Sequence, residues 1–220
     1  NNIDLENKKI SPKSFFFPLC LCIIISFIKL IEIKKGVSFH TLGVYPGNFD
    51  KFYGLFLYPL IHSSTNHLFN NLIPLFFLTS ALIHFFDRHG YLIFFTIYFF
   101  SGLLLFMIGR EVYHIGASGI IYGLASFLFF SGIIRNNIQL LSFSLLIVFL
   151  YGSMVWGIFP ETVKPGVSWE GHLSGSIIGL IFSILLKNIG PQKKKYEWDY
   201  EDEDESEDED EDEYHYEIVE

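Results

Sequence analysis

The sequence predicts an all-α polytopic membrane protein: a bundle of six transmembrane helices within residues 1–190, followed by an acidic tail over residues 191–220. Three observations predict it. Half of the residues are apolar and 18% are aromatic, yet they gather in long runs instead of recurring with the period of an amphipathic helix or a half-buried strand. One such run, Tyr91 to Ile108, carries no charge over a length close to the roughly 20 apolar residues that a bilayer crossing requires. Most connections between runs are short, so successive helices should be antiparallel neighbours.

The first span is expected over residues 14–33. Its apolar part, Phe15 to Ile28, follows Lys8, Lys9 and Lys13, an arrangement shared with cleavable signal peptides. No small-residue cleavage site follows. Lys29, Glu32, Lys34 and Lys35 come instead, which suits a retained span whose last basic side chains snorkel to the interface. Because the sequence begins at Asn1, a short preceding piece is expected. Cys20 and Cys22 are two apart on this helix, point in different directions and cannot pair, so they read as small membrane-facing side chains.

The remaining spans are expected at residues 67–86, 91–109, 117–134, 138–157 and 170–188. The one long connection, Gly36 to Asn66, carries Phe39, Tyr45, Phe49, Phe52, Tyr53, Phe56 and Tyr58. Amphipathic rings at that density place it in the headgroup region of the outer leaflet. With a cytoplasmic N-terminus, the inner segments hold Lys8, Lys9, Lys13, Arg88, Arg135, Lys187 and Lys193 to Lys195. The outer ones hold Lys34, Lys35, Lys51, Arg110 and Lys164, a modest bias that sets this orientation and puts both termini inside.

The net charge of −9 comes mostly from Glu201 to Glu213, where only Ser206 interrupts the acids. A self-repelling block with nothing to bury is expected to be a disordered, solvated end without chemistry. The rest of the chain is mildly basic.

Three polar clusters stand where polarity is expensive. The first runs from His62 to Asn71, and in it His67 and Asn71 lie four apart on one helix face near the outer end of the second span. Capping or interfacial duty is the plain reading of that pair. The second is Gly116, Ala117, Ser118 and Gly119, with Tyr122 one turn later, at the start of the fourth span. Ser118 could simply cap the helix. A nucleophile there would have the free N–H groups and positive dipole end of the helix to stabilise an oxyanion, and the glycines would give a substrate backbone room. The third is Gly171, His172, Gly175 and Gly179 in the sixth span, whose glycines have the spacing of closely packed membrane helices. An imidazole on that face is a functional candidate, with a structural hydrogen bond as the alternative.

The expected topology lets the three meet. Spans two, four and six all run inward from the outer face, and each cluster lies near its outer end. A hydroxyl, an imidazole and a His/Asn pair at one depth supply a nucleophile, a general base and oxyanion donors, the minimum for acyl transfer. Three unrelated accidents explain that less well.

His67-x-x-x-Asn71, Gly116-x-Ser118-Gly119 and Gly171-His172-x-x-Gly175, in that order, resemble the pattern of the rhomboid family over roughly residues 14 to 188. The resemblance implies a six-helix bundle with an intramembrane serine endopeptidase activity, Ser118 as nucleophile and His172 as general base. It further implies an oxyanion hole of His67, Asn71 and the Ser118 N–H, with Tyr122 packed on the imidazole and Gly116, Gly119 and Gly175 packing the site. A dyad is implied, and Glu170, two residues from His172, faces elsewhere. The Trp-Arg pair that rhomboids often carry after the first helix is missing between Gly36 and Asn66, so this loop is expected to fold or meet lipid differently.

The expected partners are transmembrane protein substrates and the lipid bilayer, not nucleic acid, with no metal or cofactor. The lack of an Arg-rich, Ser-rich transit peptide favours a bacterial plasma membrane. A non-catalytic rhomboid-like client-binding protein is the alternative, although such relatives characteristically lack the serine or histidine. A small transporter or channel ranks last, because intramembrane carboxylates, a charged path and repeated halves are not found.

Overall fold

A computed structural model of the chain describes residues 11–150, 156–163 and 166–192. The expected disordered tail lies outside the described residues, apart from its first two positions. Among the described residues the architecture is helical: α1 (Lys13–Lys35), the short α2 (Gly54–Leu57), α3 (Thr65–Phe86), α4 (Arg88–Ile108), α5 (Ser118–Ile134), α6 (Ile138–Leu150) and α7 (Trp169–Leu185). Short 3-10 turns join them, and one isolated bridge pairs Val44 with His114. The helices α1, α3 and α4 are long and apolar enough to cross a membrane, whereas α5, α6 and α7 are apolar but shorter.

Local chemistry sets the helix ends. α1 stops at Gly36, whose φ of +62° suits a residue without a Cβ and turns its N–H back to the carbonyls of Glu32 and Ile33. α3 starts where the Ser64 hydroxyl accepts the His67 N–H at 3.1 Å, and α7 where the Ser168 hydroxyl accepts the Gly171 N–H at 3.2 Å. Each serine satisfies one of the amides that a helix start leaves without a carbonyl.

The centre of the bundle is the α5–α7 contact. A Cβ on Gly175 would lie 1.9 Å from the Gly119 oxygen, and one on Gly179 would lie 2.2 Å from the Gly123 oxygen. The two backbones therefore touch, as small residues at four-residue spacing allow. Around this pair the core is completed by Leu78, Leu82 and Phe86 of α3, Ile97 of α4 and Leu124 and Phe127 of α5, all fully buried. α1 packs along α3 at the rim and leaves Phe16, Ile23 and Phe27 exposed, the face such a helix turns to lipid.

Two charged residues of α1 differ from the expectation. Lys29 does not snorkel outward: its ammonium donates to Glu32 at 3.0 Å, to the His62 carbonyl at 2.8 Å and to the Ser63 carbonyl at 3.3 Å. Glu32 in turn accepts the Phe39 N–H at 2.6 Å and is buried. Carboxylates are thus present inside apolar helices, contrary to the sequence reading, because each has a cation: Glu32 has Lys29, and Glu170 of α7 has Arg110. The first pair ties the long loop to α1.

That loop also packs on the bundle. Phe49 and Phe52 both meet Phe106 edge-on, while Phe49, Tyr53 and Phe56 remain exposed. Lys51 donates to the Tyr113 hydroxyl and stands 4.5 Å from the ring centres of both Tyr45 and Tyr113, a cation–π clamp between this loop and the α4–α5 connection.

Gly175→Ala is expected to lower stability by about 3 kcal/mol or more, since backbone atoms opposite cannot move aside without separating two helices. Gly36→Ala, strained by its φ but with open space around it, should cost only about 1 to 2 kcal/mol. Thermal unfolding of both variants in detergent checks this, and equal melting temperatures would refute the close approach.

Candidate active site

Ser118 is the first residue of α5, and Ala117 occupies the capping position before it. The serine hydroxyl does not cap the helix. It lies 2.9 Å from Nε2 of His172, which sits in the first turn of α7. The juxtaposition follows from the glycine contact, because Gly119 and Gly171, each next in sequence to one of the pair, also pack together: a Cβ on Gly119 would be 3.1 Å from the Gly171 oxygen.

The other imidazole nitrogen, Nδ1, lies 2.8 Å from the Gly157 carbonyl. A carbonyl only accepts, so Nδ1 carries the proton and Nε2 presents its lone pair to the Ser118 O–H. Gly157 therefore fixes the tautomer that a general base requires. Tyr122 lies flat on the ring, with centres 4.1 Å apart and planes 7° apart. A side chain at Gly157 would collide with this stack, since its Cβ would come 1.8 Å from the Tyr122 hydroxyl and 3.1 Å from Nδ1. Sequence reasoning missed Gly157, whose contribution is a backbone carbonyl.

His67 and Asn71 stand on the facing turn of α3. Asn71 is buried and its amide donates to the His67 carbonyl at 2.8 Å, which leaves one amide N–H for another acceptor. The His67 ring abuts Gly116: a Cβ there would lie 2.9 Å from Nε2 and 2.8 Å from Cε1. Gly116 has a φ of +106°, so both its backbone and its neighbour demand glycine. His62, unassigned by sequence, accepts the Ala117 N–H on Nε2 at 3.5 Å and meets the His67 ring edge-on. Burial, aided by the nearby His67 and Lys29, pushes His62 down to about 3, which keeps it neutral for that role.

A second polar group anchors the start of α7. Arg110 holds Glu170, with its second nitrogen 3.2 Å from the other carboxylate oxygen. Glu170 thus points to Arg110 and not to His172, in line with the sequence reading. His114 donates from Nε2 to the Arg110 carbonyl at 2.9 Å, and its Nδ1 is 2.6 Å from the Ser168 hydroxyl. Burial holds the His114 imidazole below its usual range, so Nδ1 stays free to accept. A small cavity bounded by Tyr58, Ser101, His114, Ser168 and Gly171 reaches Ser118.

A hydroxyl on an unprotonated imidazole nitrogen, beside helix-start N–H groups and a second imidazole edge, has the parts for nucleophilic attack on a carbonyl. Among the described residues no cluster of His, Cys, Asp and Glu could hold a metal ion.

A family model described as the rhomboid domain matches residues 50–189. An uncharacterised protein of Mycobacterium bovis is 32% identical over 178 residues, covering 76% of this chain and 72% of the relative. An uncharacterised protein of Mycobacterium tuberculosis matches with the same figures. One from Mycobacterium leprae is 29% identical over 177 residues, covering 75% of this chain and 68% of its own length.

In protein labelled with 15N-histidine, the His172 ring should show the neutral tautomer protonated on Nδ1. Gly157→Ala should abolish that single-tautomer signature by displacing Tyr122, and a wild-type ring protonated on Nε2 would contradict the hydrogen bond to Gly157.

Proposed function

The chain belongs to the rhomboid family, and from that membership we propose that it is an intramembrane serine endopeptidase acting through a Ser118–His172 dyad. The observation that carries the reading is the 2.9 Å contact between the Ser118 hydroxyl and His172 Nε2, with Nδ1 engaged by Gly157. The chain is an integral membrane protein in a lipid bilayer. In this reading all six longer helices cross it, both termini face the cytoplasm of a bacterial cell, and the site opens near the outer face.

A transmembrane segment of a substrate protein unwinds near that face and presents a peptide carbonyl to Ser118. The hydroxyl oxygen attacks the carbonyl carbon while its proton passes to His172 Nε2. The resulting oxyanion is met by the Ser118 N–H, His67 and Asn71. Collapse of the tetrahedral intermediate breaks the C–N bond, and His172 gives its proton to the leaving amine. A water then loses a proton to His172 as it attacks the acyl-enzyme, the second intermediate collapses, and Ser118 regains its proton from His172.

Two features support His172 as the base. Its Nδ1 partner orients the ring without a carboxylate, and the Tyr122 face, parallel to it, favours the cation formed on proton uptake. The dyad therefore needs no buried anion of its own.

Detergent-purified protein should be labelled by a fluorophosphonate probe and should cut a model transmembrane substrate. Ser118→Ala and His172→Ala should each abolish both, while Asn71→Ala should slow turnover by about a hundredfold, as losing one oxyanion donor does in serine proteases. A folded wild type that neither labels nor cuts would instead favour a non-catalytic, client-binding protein.

A further inference from the structure

We infer that Ser63 is a positioning residue for this site: its hydroxyl holds the His67 ring in the tautomer protonated on Nε2, the nitrogen on the Gly116 side. This assignment rests on the proteolytic reading above, in which His67 donates to the oxyanion.

Two consecutive serines attend one histidine. Ser64 accepts the backbone N–H of His67 at 3.1 Å and starts α3. Ser63 is not needed for that cap, and its hydroxyl lies 3.1 Å from His67 Nδ1 instead. A neutral imidazole has one donor nitrogen and one acceptor, and a serine hydroxyl can serve either, so the other end of the ring decides which arrangement functions. That end, Nε2 and Cε1, lies against Gly116, two residues before Ser118. A lone pair there would repel an anion developing on the substrate carbonyl, whereas an N–H would donate to it. The useful ring has its proton on Nε2 and its lone pair on Nδ1, and Ser63 supplies the donor that this lone pair calls for.

The position of Ser63 is itself held. The Lys29 ammonium has three N–H groups, and their recorded acceptors are Glu32 and the carbonyls of His62 and Ser63. Glu32 is anchored by the Phe39 N–H. An ammonium and a carboxylate inside an apolar helix are costly, and here they fix the two residues that lead into α3. The His62 ring, edge-on to His67 with centres 5.0 Å apart, limits rotation from the other side.

His67 and His172 should accordingly show opposite neutral tautomers in one spectrum. The test uses the full 15N-histidine-labelled chain in detergent, with cleavage of a model transmembrane substrate measured on the same preparations of wild type, Ser63→Ala, Ser63→Thr and Ser118→Ala. Wild-type His67 should be protonated on Nε2. Ser63→Ala should give mixed His67 tautomers and lower kcat by about tenfold, less than the roughly hundredfold loss of a whole oxyanion donor, with KM changed less than twofold. Ser63→Thr should restore both the tautomer and the rate, a rescue that a purely structural role would not require. Unchanged turnover in Ser63→Ala, or wild-type His67 protonated on Nδ1, overturns the assignment while Ser118-dependent cleavage leaves the proteolytic reading standing. A wild type that does not cut, or a Ser118→Ala variant that cuts as fast, removes that reading and the assignment with it.

Discussion

Two helix backbones in contact are the constraint on which the site depends. Lipid tails are as apolar as the side chains they meet, so association in a bilayer gains little from the hydrophobic effect and relies on close packing. Gly119 and Gly123 on α5 and Gly171, Gly175 and Gly179 on α7 supply that packing with no side chain between them. The uppermost contact lies beside Ser118 and His172 in sequence. A separation of the helices by even the width of a methyl group would open a 2.9 Å hydrogen bond beyond its useful range. Fold and chemistry are therefore set by the same residues.

The polar groups follow a second rule, that each buried charge carries its own compensation. Lys29 meets Glu32, Arg110 meets Glu170, and Arg135 donates to the carbonyls of Leu186 and Ile189 at 2.7 and 2.9 Å just beyond the last turn of α7. A carboxylate placed behind His172 would need another such partner. The Gly157 carbonyl and the Tyr122 face do part of its work, the first by fixing the tautomer and the second by favouring the cation. A neutral dipole stabilises an imidazolium less than a carboxylate does, but it needs no buried counter-charge of its own.

What was legible in the sequence was the polarity that an apolar run cannot hide. Ser118, His172, His67 and Asn71 stood out because each interrupts such a run, and the helices that carry them begin and end within a few residues of the predicted spans. Tyr122 was placed by family resemblance and lies on the imidazole. Gly157 was not legible, because every residue has a carbonyl and only the fold selects this one. Lys29 was read with the basic side chains that snorkel at a helix end, and Glu32 was not counted as an intramembrane carboxylate; only the path of the long loop shows that both turn inward. Ser63 was hidden for a related reason: a serine before a helix suggests a cap, and the adjacent Ser64 takes that role.

The glycine seam fixes how close α5 and α7 come, but not how they slide or how the loop above them sits. The polar group at the start of α7 supplies that register. Ser168 accepts the Gly171 N–H, and it can also donate to His114 because burial keeps that ring neutral. His114 is in turn paired through its backbone to Val44, with N–O distances of 2.8 and 3.0 Å, and through its ring to the Arg110 carbonyl. One chain of hydrogen bonds therefore joins the long loop, the connection that ends at Ser118 and the first turn of α7 that carries His172. With helix separation set below by glycine and register set above by this chain, the serine and the histidine are held to each other through two independent routes.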